Sequence, residues 1–165
     1  MRFAPAAAAL SLVVLVQASV GMAGDYKPDP RAEALVAEGR AILSGGDAQG
    51  AVDAFEAALA IDPGYAAIFV DLGEAARANG LQGKAIRYYR EALARDPENL
   101  AAITGEGEAM VEKGAVAKAR ENLAKLQILC GSNCSETREL AAAIDRGPPV
   151  MTAEAVTPAP GVTQK

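Results

Sequence analysis

The chain has 165 residues, of which 51% are apolar and only 4% aromatic, and it contains neither Trp nor His. This composition favours one modest domain with an alanine-rich helical core over a β-sandwich. The lack of His excludes His-based nucleophilic catalysis and His-ligated metal sites, and no nucleotide-binding or hydrolase motif occurs. The net charge of -5 argues against nucleic acid as a ligand. We therefore expect no enzymatic activity and no cofactor.

Residues 1–23 have the features of a secretory signal peptide. Arg2 supplies a positive charge, an apolar run follows, and Gly21 and Ala23 place small residues before the expected cleavage point. We expect cleavage after Ala23 and a mature chain in the bacterial periplasm or the medium. An uncleaved leader would instead anchor the chain in a membrane, because the run approaches the roughly 20 residues needed to span a bilayer.

Helical periodicity begins after residues 24–31, whose two prolines among charged residues predict an extended linker. The first helix ends before the pair Gly45 and Gly46, because glycine accepts the left-handed conformation that follows many helices. A second helix over Ala48–Ile61 ends at Pro63, which cannot continue a helix interior. This segment therefore predicts a pair of helices joined by a short turn.

The pattern of this helix pair recurs at a constant spacing along the chain. Residues 32–65 align with 66–99, and a weaker third copy covers 100–133. The aligned residues are Leu35, Gly39, Ala51, Phe55, Ala58 and Pro63 in the first copy, with Phe69, Gly73, Ala85, Tyr89, Ala92 and Pro97 in the second. The chain is therefore expected to be a repeat protein.

Gly39, Gly73 and Gly107 occupy the same place in the three copies, inside a predicted helix. A glycine there costs about 1 kcal/mol relative to alanine. Each precedes an alanine of the next helix by the same interval, so we expect close helix packing, with Gly73 facing Ala85.

These aligned positions resemble the tetratricopeptide repeat, which has small residues at its eighth and twentieth places, a bulky residue at the twenty-fourth and proline near its end. The resemblance covers residues 32 to about 131. It implies an all-α, right-handed superhelix of antiparallel helix pairs, with three repeats and a C-terminal capping helix. It also implies a scaffold that binds another protein or a peptide.

Residues 135–146 are predicted to form this capping helix, because Glu136 and Leu140 fall at helical spacing. A solenoid needs a terminal helix with one polar side to cover its last helix pair. The repeat domain is thus expected to span 32–146. The proline-containing residues 147–165 are expected to form a disordered tail.

In the family, the first helix of each repeat lines the inner surface. The equivalent residues here are mixed in polarity, which implies a groove suited to a peptide with apolar anchors; individually they could also be ordinary solvated residues. They are Val36, Arg40, Leu43, Val70, Glu74, Arg77, Thr104, Glu108 and Val111. Members that bind C-terminal carboxylates have Lys and Asn at the fifth and ninth places, where this chain has Val36 and Arg40, and this difference argues against that activity.

Cys130 and Cys134 allow three interpretations. A disulfide is favoured, because exported proteins occupy compartments where disulfides persist. A redox pair is usually C-x-x-C, whereas this spacing is C-x-x-x-C. A structural zinc site would need two further ligands.

The sequence therefore predicts an exported, non-enzymatic module for protein interaction, as a monomer or weak oligomer. A thiol-disulfide redox protein using the two cysteines and a membrane-anchored assembly factor are the alternatives. We expect contact with a membrane only if the leader remains uncleaved.

Overall fold

The computed structural model describes residues 26–149, which form seven α-helices and, within that range, no strand. The helices are α1 (Pro30–Ser44), α2 (Ala48–Ile61), α3 (Ala67–Ala78), α4 (Gln82–Arg95), α5 (Leu100–Glu112), α6 (Val116–Cys130) and α7 (Ser135–Arg146). No helix in this part of the chain is both long and apolar enough to cross a bilayer. The predicted signal peptide, and the predicted tail after residue 149, lie outside the described residues.

The helices pack in two layers. Each helix packs against the next one along the chain, and contacts also join α1 to α3, α3 to α5 and α5 to α7. The odd-numbered helices therefore lie side by side in an inner layer, and α2, α4 and α6 cover them from the other side. The prediction of an all-α helical repeat is confirmed.

The turn between the two helices of each repeat ends in a glycine with positive φ. Gly46, Gly80 and Gly114 have φ values of 90°, 70° and 85°. Residues that carry a side chain rarely adopt this left-handed backbone conformation. Glycine therefore permits the chain to leave one helix and begin the next after a short turn. The three turns consequently have the same geometry, and the three helix pairs stack in register.

The start of α1 corrects the predicted linker. The helix begins at Pro30, where the missing proline N–H costs nothing because the first N–H groups of a helix have no internal partner. Asp29 caps the helix, and its own N–H donates to Asp62 Oδ2 at 2.9 Å. The Tyr26 ring lies 6.4 Å from the Tyr65 ring, centroid to centroid. Residues 26–29 are therefore held against the first repeat.

The glycines inside the first helices make room for large side chains of the outer layer. Phe55 and Tyr89 are fully buried. A Cβ atom added to Gly73 would lie 2.6 Å from Tyr89 Cε1, and Gly39 faces Phe55 in the same way. Close packing is thus confirmed, but the expectation that Gly73 faces Ala85 is wrong, because the ring one helical turn beyond that alanine fills the space.

The third repeat uses a different partner for its glycine. A Cβ atom added to Gly107 would lie 2.6 Å from a methyl carbon of Leu140, which belongs to α7. Leu140 also joins Ile103 and Leu126 in a separate apolar cluster between α5, α6 and α7. The capping helix, whose bounds agree with the predicted 135–146, is therefore an integral part of the core.

Gly73→Ala tests this packing. The new methyl group must displace the buried ring of Tyr89, and overpacking of this kind costs about 1–3 kcal/mol, against a gain in helix propensity of up to about 1 kcal/mol. We expect a lower free energy of unfolding in urea. Gly83→Ala in α4 is the matched control, because only Lys113 Nζ approaches its Cβ position, at 3.8 Å, and it should be neutral or stabilising. Equal effects of the two substitutions would contradict the packing.

Candidate functional site

The nine residues predicted to line a groove all lie on inner-layer helices, but they differ in exposure. Arg40 and Glu74 are exposed; Leu43, Val70 and Arg77 are half-buried; Val36, Thr104, Glu108 and Val111 are buried. Val36 and Val111 are 2% and 3% exposed and belong to the apolar core, so the prediction that they face a partner is wrong. Their side chains pack against the apolar core where adjacent helix pairs contact each other.

Three of the predicted groove residues, Arg40, Arg77 and Glu108, are engaged in ion pairs between neighbouring inner helices. Arg40 of α1 donates from Nε and Nη2 to the two carboxylate oxygens of Asp71 in α3, at 2.7 and 2.9 Å. Asp71 is only 4% exposed. Such a bidentate pair is stronger than a single contact, because both donors and both acceptors are matched. Arg40 thus contributes to joining the first and second repeats.

Arg77 of α3 makes the equivalent connection to α5. It forms ion pairs with Glu108 and with Glu112, the latter at 2.7 Å, and Gln82 donates to the other oxygen of Glu112 at 3.0 Å. Burial alone would lower the pKa of Arg77, but the two carboxylates outweigh it and hold the pKa above its usual value. Arg77 is therefore a positively charged link between the second and third repeats.

Four carboxylates meet in a recess where α3, α5 and α7 come together; we call it the acidic recess. Its acidic residues are Glu74, Glu108, Glu136 and Glu139, and Ala101, Thr104 and Gly105 complete its lining. The volume is about 160 Å³. Of the predicted groove residues, the structure brings Glu74, Thr104 and Glu108 together here.

Glu136 and Glu139 were missed as site residues, because their sequence pattern predicted only the polar side of a capping helix. A signal was present nonetheless. Continuing the repeat spacing beyond the third copy places Glu139 in register with Asp71 and Gly105, both on inner-layer helices. Such an extension would have assigned α7 to the inner layer.

The environment of the acidic recess disfavours negative charge on Glu74 and Glu108, whereas hydrogen bonds from its own backbone N–H and from Ser135 lower the pKa of Glu136. Partial desolvation raises the pKa of Glu74, and the carboxylate of Asp71 raises it further. Burial likewise raises the pKa of Glu108, and the charge of Glu139 adds to the shift, although Arg77 opposes it. The negative charges of Glu74 and Glu108 are thus held in the folded protein at a cost in electrostatic free energy.

The hydroxyl of Tyr89 is buried behind Gly105, which is one of the residues that line the acidic recess. Its ring enters from α4 between Gly73 and Gly105, and a Cβ atom on Gly105 would lie 2.7 Å from Tyr89 Oη. The hydroxyl is buried, and no group of the described residues meets it in good hydrogen-bond geometry. Its pKa is raised, chiefly by burial. The charge of nearby Arg77 and a hydrogen-bonding interaction of its guanidinium with the hydroxyl act against that shift, although the short hydrogen bonds of the guanidinium go to Glu108 and Glu112.

A larger cavity of about 510 Å³ lies further along the inner layer. Its lining includes Arg77 and Glu112 together with Arg146, Pro148 and Pro149. The first residues of the predicted tail, 147–149, therefore border the inner layer.

The two cysteines lie at the junction of α6 and α7. Cys130 ends α6, Cys134 precedes α7, their Cα atoms are 5.9 Å apart and their sulfur atoms are at bonding distance. The Thr137 hydroxyl donates to the Gly131 carbonyl at 2.9 Å and steadies the turn. The sulfurs and a Glu136 carboxylate oxygen lie within 4.8 Å of one another, which gives three ligands where structural zinc takes four.

Comparison with known proteins agrees with this architecture. The family profile of the tetratricopeptide repeat matches residues 66–99, which contain the helix pair of α3 and α4. The chain therefore contains a tetratricopeptide repeat at residues 66–99. Residues 32–65 and 100–133 of this repeat protein form helix pairs with the same turn and the same glycine position.

Solved tetratricopeptide repeat domains have similar folds. The Sgt2 domain from Aspergillus fumigatus is 26% identical over 81% of this chain and 93% of that domain, with a TM-score of 0.65. The TPR2B domain of yeast Sti1, solved in a complex with pHsp70, is 20% identical over 72% of this chain and 98% of its own, with a TM-score of 0.63.

The type III secretion chaperone SycD from Yersinia enterocolitica, solved with a peptide of the translocator YopD, is also similar. It is 24% identical over 69% of this chain and 86% of its own, with a TM-score of 0.60. A search of curated protein sequences found no match.

Glu74→Gln tests the electrostatic cost of the acidic recess. Because the pKa of Glu74 is raised on folding, the folded chain binds this proton more tightly than the unfolded chain. The linked stability is fully present below the unfolded pKa and is lost as the pH rises through the folded pKa. We therefore expect Glu74→Gln to raise the melting temperature by a few degrees at pH 7 and to have little effect at pH 4.

Glu121→Gln is the control for Glu74→Gln. Glu121 is exposed on α6 and forms no ion pair within residues 26–149, so its replacement should leave the melting temperature unchanged at both pH values. A destabilising effect of Glu74→Gln at pH 7 would show that the Glu74 charge is compensated in the folded protein.

Proposed function

We propose that this chain is an exported scaffold that binds a segment of another protein on its inner layer and does no chemistry on it. The observation that carries the proposal is the accessible surface of that layer. Arg40, Glu74 and Ala101 are exposed on three successive inner helices, next to residues that are buried in the core. These side chains are presented on a rigid framework, which suits recognition of a partner with little loss of conformational entropy.

The similar solved structures support a protein or peptide as the partner. The SycD chaperone was solved with a translocator peptide, and the Sti1 domain with pHsp70. In this chain Val36 is buried and Arg40 is paired with Asp71, so the first repeat offers no pair of free donors for a C-terminal carboxylate. Recognition here therefore depends on other groups of the inner layer.

Export is the second part of the proposal. It is supported by the leader-like residues 1–23 and by the position of the two cysteines. A disulfide between Cys130 and Cys134 would persist in an oxidising compartment. Closing so short a loop would stabilise the junction of α6 and α7 by about 2 kcal/mol.

Site-specific photo-crosslinking tests the binding surface. A photoreactive benzoylphenylalanine replaces Ala101, on the inner helix α5, or Ala94, an exposed residue of the outer helix α4. In the exporting cell, we expect Ala101 to give a discrete protein adduct on denaturing gels and Ala94 to give none, because only the former faces the proposed partner. If an adduct formed only with the photoreactive residue at position 94, the binding site would lie on the outer layer.

Mass spectrometry of the exported protein tests its maturation. We expect a chain that begins at Gly24 and takes up iodoacetamide at two cysteines only after reduction, since the leader would be cleaved after Ala23 and the thiols joined. A chain that begins at Met1 and sediments with membranes would favour the anchored alternative. Two thiols that react without reduction would restore the redox and metal interpretations.

A further inference from the structure

We infer that a groove on the outer layer binds an acidic segment of a partner protein, as a second surface separate from the inner layer. The groove lies between α4 and α6, with α5 beneath it. It consists of two adjoining cavities of about 380 Å³ each, which share Arg90, Met110 and Lys118. We call it the outer groove. Ala94 and Ala101 are not part of its lining, so crosslinking at those two positions does not report on it.

The outer groove carries an excess of positive charge in a chain whose net charge is -5. Its lining contains four basic and two acidic residues, which are Arg90, Lys113, Lys118 and Lys125 against Glu106 and Glu121. The three lysines form no ion pair in the described part of the chain. A ligand with carboxylate groups would reduce the repulsion among these cations, so the groove and an acidic segment are complementary in charge.

A buried carboxylate beneath the outer groove fixes the position of Arg90. Glu106 is only 5% exposed, and its Oε1 accepts a hydrogen bond from Arg90 Nε at 2.7 Å. Core packing does not require this acid, because the equivalent residue of the second repeat is the fully buried Leu72. Apolar residues can replace a buried ion pair at little or no cost in stability. What the pair adds is a guanidinium held in the groove, whose two Nη nitrogens form no hydrogen bond within residues 26–149.

Asn122 is the independent observation that points to a peptide. It is 4% exposed and lines the outer groove from α6. Its Nδ2 donates to the Ile103 carbonyl at 3.1 Å and to Glu106 Oε2 at 3.0 Å. Because both partners are acceptors, the NH₂ group of the amide must face them, and the amide oxygen has no partner among the described residues. This oxygen is not sealed inside the protein, so it can accept a hydrogen bond from a group that enters the groove.

A peptide segment that contains Asp or Glu matches all of these groups. Its carboxylates can pair with Arg90, Lys118 and Lys125. A main-chain N–H can donate to the oxygen of Asn122, and Met110 at the floor offers an apolar contact. An anionic membrane surface would meet the exposed lysines, but it would not reach an amide that is almost completely buried. The observations therefore favour an acidic segment of a protein.

Subtractive selection of displayed random peptides tests the inference. The full chain is the target, and peptides that also bind the variant Glu106→Leu with Asn122→Ala are removed. This variant introduces residues found at the equivalent places of earlier repeats, Leu72 and Ala54, and should keep its melting temperature within a few degrees. It is more positive by one charge, so peptides attracted by charge alone should bind it at least as well. We expect the retained peptides to share at least two Asp or Glu residues.

Charge substitutions assign the binding to the outer groove. Lys118→Gln with Lys125→Gln should weaken the retained peptides about tenfold, and replacing their Asp and Glu with Asn and Gln should do the same. Arg87→Gln with Arg120→Gln is the matched control. It makes the same charge change on the same two helices, at exposed residues outside the groove that form no ion pair within residues 26–149, and should leave affinity unchanged.

The outcomes also separate the outer groove from the inner layer. Retained acidic peptides that still bind Ala101→Trp would support the inference, whatever the inner layer binds. An empty set after subtraction, or retained peptides whose affinity does not depend on Asp or Glu, would overturn it. Loss of their binding in Ala101→Trp would place them on the inner layer, which overturns the inference and supports the proposed function. An empty set together with sedimentation on phosphatidylglycerol vesicles that requires Lys118 and Lys125 would identify a lipid surface instead.

Discussion

The structure depends on the close approach of helices around one large ring in each of the first two repeats. Phe55 and Tyr89 are fully buried, and each lies against a glycine on the first helix of its own repeat. Any side chain at these glycines would push the helices of a pair apart. The glycine therefore lowers helix propensity but sets the distance between the layers, and the side-by-side arrangement of α1, α3, α5 and α7 follows from it.

Ion pairs also hold the helices of the inner layer together. Arg40 joins α1 to α3 and Arg77 joins α3 to α5, in both cases to carboxylates that are largely removed from water. Breaking one member of such a pair leaves the other charge uncompensated, which costs several kcal/mol when the group is buried. The predicted groove arginines are thus part of the framework that joins the inner helices.

The constant repeat spacing was enough to predict the helix pairs and the glycine packing, and helical periodicity was enough to predict the capping helix, since each depends on residue types at fixed intervals. The partner of Gly73 was not predictable in the same way, because the choice between Ala85 and Tyr89 depends on helix rotation, and a shift of one helical turn changes the neighbour. The burial of Val36 and Val111 depends on how neighbouring pairs overlap. The acidic recess needs three helices that are distant in sequence, so neither its shape nor the role of Glu139 follows from any single repeat.

The position of the Tyr89 ring affects the order in which the repeats unfold. This ring contacts glycines of both the second and the third repeat, whereas Gly39 and Phe55 both lie within the first repeat. In a linear array, unfolding proceeds at the weakest boundary between neighbouring units. Opening α5 away from α3 would expose the side of the ring that lies against Gly105, so we expect the second and third repeats to unfold together with the capping helix and partial opening to begin at the first helix pair.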